Sequence, residues 1–421
     1  MWVRKRVDIG WSDLTAALAH CALPGSRATR AAELERLWSH AGDAIACLSV
    51  RSGFDLWLSA INLPAGSEVL VSAITIPDML RIIQDHGLVA VPVDIDPDHL
   101  AVDPASLEQG LSPRTRAILV AHLFGTRQPL ETIAQFARRH DLLLIEDCAQ
   151  AFVGTSFTGD SEADVSMFSF GPIKTATALG GALLRVDDKQ VRDAMRQVLA
   201  SQPLHSSWTY ARRVLKYTGI KFLTGRLSYA AVFHTWQALG RDPDQLVNGA
   251  VRGFAGPGFF QRIRRQPAAS LLAVMRRRIT RFSRERIARR GENGQFLLDQ
   301  LRGALVSPGW ASAEHTYWVF PVLVDESSRL IAALRQAGFD GSSAHSMCVV
   351  PPPADRPEQR AVMAENILPR IVYLPYCSAL PRYEMERMAA VVRAVAESSE
   401  NQSRSPVIAA APQLSSSGQA R

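Results

Sequence analysis

From about residue 43 the chain alternates short apolar runs with apolar positions at helical spacing. The runs Ala44–Val50, Glu68–Ile74, Leu88–Ile95, Thr115–Gly125, Asp141–Cys148, Val165–Phe170 and Gly181–Val186 read as strands. Helical spacing follows over Ser52–Leu63, Pro77–Gly87 and Leu130–His140. Strands alternating with helices imply βαβ units and a largely parallel sheet, buried on both faces. In such a sheet ligands sit beyond the carboxyl ends of the strands. Functional residues are therefore sought just after each apolar run.

The rhythm lapses over residues 190–260, where the stretch from Tyr210 to Trp236 mixes basic and aromatic residues at helical spacing. It reads as helices packed on the main body or on a second subunit. A helix lying on a membrane surface is the alternative, and the less favoured one. An Arg-rich helical pattern over 268–302 leads into a second α/β region. There Tyr317–Val324 and Ile371–Pro375 read as strands, and Ser328–Gly338 and Arg382–Glu397 as helices. The expected organisation is an N-terminal segment (1–35), a large domain (36–250, with a divergent insert at 190–260), a smaller C-terminal α/β domain (251–397) and a disordered, Ser/Gln/Pro/Ala-rich tail (398–421).

Composition narrows the function. With 421 residues, 47% hydrophobic and 21% charged, the chain can build its core without disulfides or metal. The five cysteines are scattered with no CxxC spacing, which implies a reducing compartment and no structural zinc. The basic N-terminus lacks the apolar stretch of a secretory signal, and no run of about 18 apolar residues occurs, so the cytoplasm is the expected location. The net charge of +7 owes much to residues 262–290. That charge fits a solvated helix face, or attraction to an anionic substrate or membrane surface. No nucleic-acid-binding signature accompanies it.

Three segments carry candidate chemistry. The first is Ile145–Gln150 (IEDCAQ), at a strand end. Asp147 there could cap the next helix, or hold a pyridinium nitrogen protonated. Its neighbour Glu146 points to the opposite face. The second is Phe168–Lys174 (FSFGPIK). Lys174 could be an ordinary loop lysine, or an amine activated by desolvation for Schiff-base chemistry. Ser169 could bind a phosphate oxygen or satisfy a strand end. The third is Ser49–Asp55 (SVRSGFD). If a helix starts at its glycine, the amides of Ser52, Gly53 and Phe54 face an anion. Ser-Gly is equally a common helix cap. His122 reads as a structural histidine; His315 and His345 receive no role.

The order of these pieces, with Lys174 27 residues after Asp147, resembles the DegT/DnrJ-type sugar aminotransferases. Those are pyridoxal-phosphate enzymes of fold type I. The segments PAGSEVLVSAITIPD, VPVDIDPDHLAVDPASLEQGLSPRTRAILVAHLFGT, LLLIEDCAQAFVG, FSFGPIKTATALGGA, EHTYWVFPVLVD and YLPYCSALPRYEMERM carry the likeness over roughly residues 40–396. The resemblance implies a large domain with a mostly parallel sheet sandwiched by helices and a smaller C-terminal α/β domain. It implies pyridoxal 5'-phosphate as cofactor, with Lys174 forming the Schiff base and moving the proton. Asp147 would pair with the ring nitrogen and Gln150 would lie near the ring oxygen. Ser169 and Ser52–Gly53–Phe54 would hold the phosphate, and Ile76 would cover the ring. It further implies glutamate as amino donor, a keto-sugar or related cyclic ketone as acceptor, and a homodimer with shared active sites.

Departures accompany the likeness. Phe54 stands where relatives carry Thr, Ile76 where they often carry an aromatic residue, and Leu179 where Glu often precedes the paired glycines. The partner-contributed Asn/Arg segment is not recognisable among Arg262, Arg264, Arg265 and Gln266. They motivate an alternative expectation, a non-catalytic member acting as regulator or scaffold.

Overall fold

In the computed structural model of the chain, which describes residues 1–3, 7–224, 235 and 258–404, the apolar runs form strands shorter than the runs themselves. They are β1 (Ala44–Cys47), β2 (Glu68–Ser72), β3 (Ile74–Thr75), β4 (Val89–Val93), β5 (Ile95–Asp96), β6 (Ala101–Val102), β7 (Thr115–Ala121), β8 (Leu143–Asp147), β9 (Val165–Ser169) and β10 (Ala182–Val186). Seven of them make one sheet of order β1-β10-β9-β8-β7-β2-β4. The pairs β4/β2, β2/β7, β7/β8 and β8/β9 are parallel. The strand β10 runs antiparallel to both β9 and β1. Strands such as β2 and β10 are buried at every position, because helices cover both faces, and so they read as continuous apolar runs rather than alternating ones.

The helices of this body are α1 (Trp11–Ala22), α2 (Arg27–Trp38), α3 (Val50–Ile61), α4 (Pro77–Asp85), α5 (Pro104–Gly110), α6 (Glu131–Arg139), α7 (Lys189–Ser201), α8 (Ser207–Leu223), α9 (Phe259–Ile263) and α10 (Ala269–Thr280). The Arg-rich pattern over 268–302 breaks into two helices, α10 and α11 (Arg284–Leu301). They serve different cores. Leu271, Leu272, Val274 and Met275 of α10 share a cluster with Leu14, Ala17 and Leu34 of the N-terminal helices and with Phe168 and Leu183 of the sheet. Arg278 fixes the arrangement, donating to Asp13 Oδ2 at 2.5 Å and to the Asp8 carbonyl. Residues 1–35 and 259–280 thus pack as parts of the large body, and the boundary expected at 250–251 lies outside the described residues.

The smaller body is a three-stranded antiparallel sheet of β11 (Phe320–Leu323), β12 (Ser342–Ser343) and β14 (Ile371–Leu374); β13 (Cys348–Val349) pairs instead with β3. Helices α12 (Ser327–Gln336), α13 (Val362–Ile367) and α14 (Arg382–Arg404) complete this region. Leu297 and Leu301 of α11 pack with Phe320, Leu330, Met385 and Met388 in its core. The closing helix runs past Ser398, where the tail was expected to start; residues 405–421 lie outside the described ones. No described helix is long and apolar enough to cross a membrane.

Candidate active site

The first site element is the start of α3. The run expected to be strand through Val50 stops at Cys47, because Ser49 caps the helix: its Oγ accepts from the Ser52 N–H at 3.1 Å. Gly53 N–H donates to the Ser49 carbonyl at 2.9 Å. The helix therefore begins three residues before the glycine, and the amides at its head belong to Val50 and Arg51. This corrects the expectation for Ser52, Gly53 and Phe54. The Ser52 and Gly53 amides are spent within the cap, and Phe54 is fully buried against Leu56, Trp57 and Leu184. Gly53 is a packing glycine: a Cβ there would lie 2.5 Å from a Leu184 methyl. The lining at this end is Ser49, Val50 and Arg51, with Arg51 Nε donating to Asp78 at 2.5 Å.

Asp147 ends β8, in register with Met167 of β9 and two residues short of Ser169, where β9 ends. Its Oδ1 accepts from the Ala149 N–H at 2.9 Å. Burial raises its carboxyl above the usual range, while that amide and the charges of Lys174 and Arg51 pull it back. Lys174 follows in a turn closed by its own N–H on the Gly171 carbonyl. Its Nζ stands 4.1 Å from the centre of the Trp318 ring, and Trp318 Nε1 donates to the Ile173 carbonyl at 3.1 Å. The lysine turn is held from two further directions: Asp8 Oδ2 accepts from the Ala176 N–H, and Arg290 donates to Thr175 Oγ1 at 3.2 Å and to the Thr316 carbonyl. Beyond it Leu179 takes a left-handed φ of 62°, uncommon for a branched residue, and is buried.

Gln150 lines the cavity with its Oε1 accepting from the Phe124 N–H at 2.8 Å. Ser169 and Ile76 line it as well, Ile76 at the head of α4. His122 lies behind this wall. Its Nδ1 accepts from the Gln128 N–H, so its Nε2–H donates to Glu146 Oε1 at 2.8 Å. Burial alone would raise the Glu146 carboxyl, but the His122 bond, with Ser166 and the Asp160 N–H, holds it at about 2. His315 stacks on Tyr317, and burial beside Arg290 lowers it to about 3. It is not among the cavity residues, whereas His345 is. Arg264 is committed within the chain, to Asp55 and Asp85, and Gln266 to the carbonyls of Ala200 and Gln202.

Sequence reasoning missed Arg51, Trp318 and Arg290. Trp318 carried a usable signal: Tyr317 and Trp318 lead into a strand, so alternation sends them to opposite faces, and only one can fill the small core. It also missed that α8 lines the cavity, through Arg212, Arg213, Lys216 and Tyr217.

The cavity measures roughly 1710 Å³, above the roughly 300–1,000 Å³ usual for one small ligand. An amine on a turn after β9, a half-buried carboxylate ending β8 and a helix N-terminus line one cavity of an open α/β sheet, the arrangement expected of pyridoxal-phosphate-dependent enzymes of fold type I. Residues 25–395 match the DegT/DnrJ/EryC1/StrS aminotransferase family, and the chain belongs to it. It is a transaminase with pyridoxal 5'-phosphate as cofactor.

Solved structures carry the same fold. The aminotransferase TlmJ from Streptoalloteichus hindustanus superposes with a TM-score of 0.66 at 19% identity, over 95% of this chain and 100% of that one. The putative sugar aminotransferase Spr1654 from Streptococcus pneumoniae gives 0.68 at 16%, over 96% and 99%. NtdA from Bacillus subtilis, solved with bound PMP, gives 0.66 at 17%, over 94% and 86%.

Proposed function

We propose that this enzyme transfers an amino group, from glutamate, to a keto-sugar carried on a nucleotide or to a related cyclic ketone. We propose further that it works as a homodimer in the cytoplasm. The observation that carries the acceptor class is the cavity itself: a volume beyond one small ligand, ringed by Arg51, Arg81, Arg212, Lys216, Arg286 and Arg290. A cation-lined cavity of that size suits an extended anionic substrate. The Streptococcus pneumoniae neighbour, named as a sugar aminotransferase, supports the same class.

In this reading each residue has a distinct task. Lys174 holds the cofactor covalently and afterwards moves the proton at the substrate carbon. The cofactor, when bound, supplies the electron sink for that carbon. Asp147 keeps a proton on the ring nitrogen; burial raises its own carboxyl, and the Ala149 N–H and the Lys174 charge oppose that rise. The amides of Val50 and Arg51 and the Ser169 hydroxyl hold the phosphate, while Ile76 and Gln150 bound the ring. Trp318 fixes the direction of the lysine amine.

The test is a visible spectrum of purified protein, before and after borohydride, for wild type and Lys174→Ala. Wild type should carry a visible band that glutamate bleaches and borohydride fixes to Lys174. Wild-type protein as colourless as the variant would overturn the assignment of Lys174 and favour a scaffold role. Retained colour with no bleaching by glutamate would overturn the donor.

A further inference from the structure

We propose that Arg290 anchors the α-carboxylate of the amino donor, the group that marks an amino acid and is missing from a keto-sugar. The proposal rests on the assignment of Lys174 above and does not require the donor to be glutamate. Arg290, on α11, lines the active-site cavity. Its Nε donates to the Thr316 carbonyl at 2.6 Å, and its Nη1 to Thr175 Oγ1, one residue past Lys174, at 3.2 Å. Its backbone is fastened as well, since the Tyr376 hydroxyl donates to the Arg290 carbonyl. These bonds fix the guanidinium beside the lysine turn and leave Nη2 buried with no acceptor.

Buried cations are ordinarily paired, because an uncompensated charge out of water is costly. Other cations of the cavity are engaged: Arg51 with Asp78, Arg286 with Asp8, and Arg81 over the Phe259 ring. Among the described residues no carboxylate pairs with Arg290. Asp8, whose charge reaches it, is committed to Arg286 at 2.6 Å, and burial lowers the Arg290 guanidinium to about 10. Nearby, His315 Nδ1 accepts from the Tyr317 N–H at 2.9 Å, so its Nε2–H is a second buried donor without an acceptor. Donors and positive charge gather here with no anion of the chain to meet them. A ligand carboxylate answers both through charge-assisted bonds to the planar guanidinium. Position selects the ligand. An amino acid carries its carboxylate on the carbon that bears the nitrogen, beside the lysine that moves the proton there. In a keto-sugar that carbon has uncharged carbon neighbours, and a phosphate joins further along the molecule. The exposed Arg212 and Lys216 of α8 remain for that phosphate.

The test compares glutamate with its α-amide, isoglutamine, as donors to the holoenzyme, reading the concentration of each that bleaches the visible band at half the maximal rate. If another amino acid proves to be the donor, its own α-amide serves as the comparison. Wild type should favour the acid by about 10–100-fold, the worth of one charge-assisted hydrogen bond. Arg290→Gln should lose that preference while isoglutamine changes less than about threefold, and Arg290→Lys should keep part of it. Thr175→Val removes a bond to Arg290 but no charge, and should retain the preference. Cofactor affinity, from fluorescence titration of the apoenzyme, should be unaltered in Arg290→Gln. A loss that falls equally on acid and amide overturns the proposal and makes Arg290 a brace for the Lys174 turn. Cofactor affinity lowered about tenfold with the preference intact overturns it in favour of the cofactor's phosphate. Discrimination lost against glutamine, the side-chain amide, rather than isoglutamine overturns it in favour of the distal carboxylate. A wild type with no visible band overturns the Lys174 assignment and this proposal with it, a result that no coloured enzyme can give.

Discussion

Gly53→Ala separates two accounts of the same glycine. In the structure Gly53 lies one turn inside α3, and an added Cβ would sit 2.5 and 2.8 Å from the two methyls of Leu184. Ordinary contact is about 3.4–4 Å, so the overlap is near 1 Å. Leu184 is fully buried in β10, and the core around it offers no easy retreat. Alanine in a helix interior is worth about 0.5–1 kcal/mol over glycine. Overpacking a filled core costs about 1–3 kcal/mol. The net expectation is destabilisation of roughly 1–2 kcal/mol, with cofactor affinity unchanged. Urea unfolding measures the first, and fluorescence titration of the apoenzyme with pyridoxal phosphate the second. Adding Leu184→Ala should relieve the overlap, so the double variant should be more stable than the two single losses summed. Cofactor affinity falling tenfold at unaltered stability would refute this reasoning and return Gly53 to the phosphate site.

Three further outcomes are expected. Glu146 has a folded pKa held at about 2 against an ordinary 4.5. A depressed carboxyl contributes stability above its unfolded value that is lost as pH falls through the folded one, here on the order of 3 kcal/mol between about pH 5 and pH 2. Urea midpoints of wild type should drop across that window, and Glu146→Gln should flatten the drop. Arg264→Leu strands the buried Asp55 with His86 as its remaining side-chain partner in this network, costing about 2–3 kcal/mol in the same unfolding assay, less than a fully buried pair because Arg264 is part exposed. Trp318→Ala removes a cation–π contact of about 1 kcal/mol and should slow borohydride trapping of the cofactor about fivefold, with Trp318→Phe intermediate because the ring remains and the Ile173 bond is lost.

The sheet was legible because burial on both faces writes strands as apolar runs, and those runs needed only trimming. Asp147 and Lys174 were legible for the related reason that ligands gather where runs end; the cavity brings both together. The start of α3 was not. Ser49 and Ser52 are both plausible caps, and the glycine drew attention to the wrong one; what decides between them is Leu184, more than a hundred residues away and invisible to local pattern. Trp318 and Arg290 belong to segments distant in sequence that meet Lys174 only through tertiary packing. The packing of α10 was likewise hidden: α10 reads like α11, and only the contacts of its apolar face with α1 and α2 attach it to the large body.

The position of β1 at the far edge of the sheet, paired among the described residues with β10 alone, bears on how the protein is made. Strand β1 leaves the ribosome early but has no neighbour until residue 186 is synthesised, and Asp13 then waits for Arg278. At about 5–20 residues per second, the roughly 90 residues between those events take about five to twenty seconds. Throughout that interval Lys174 already exists, without the α10 and Trp318 contacts that steady its turn. The contacts that steady this turn are therefore completed only in the last third of translation.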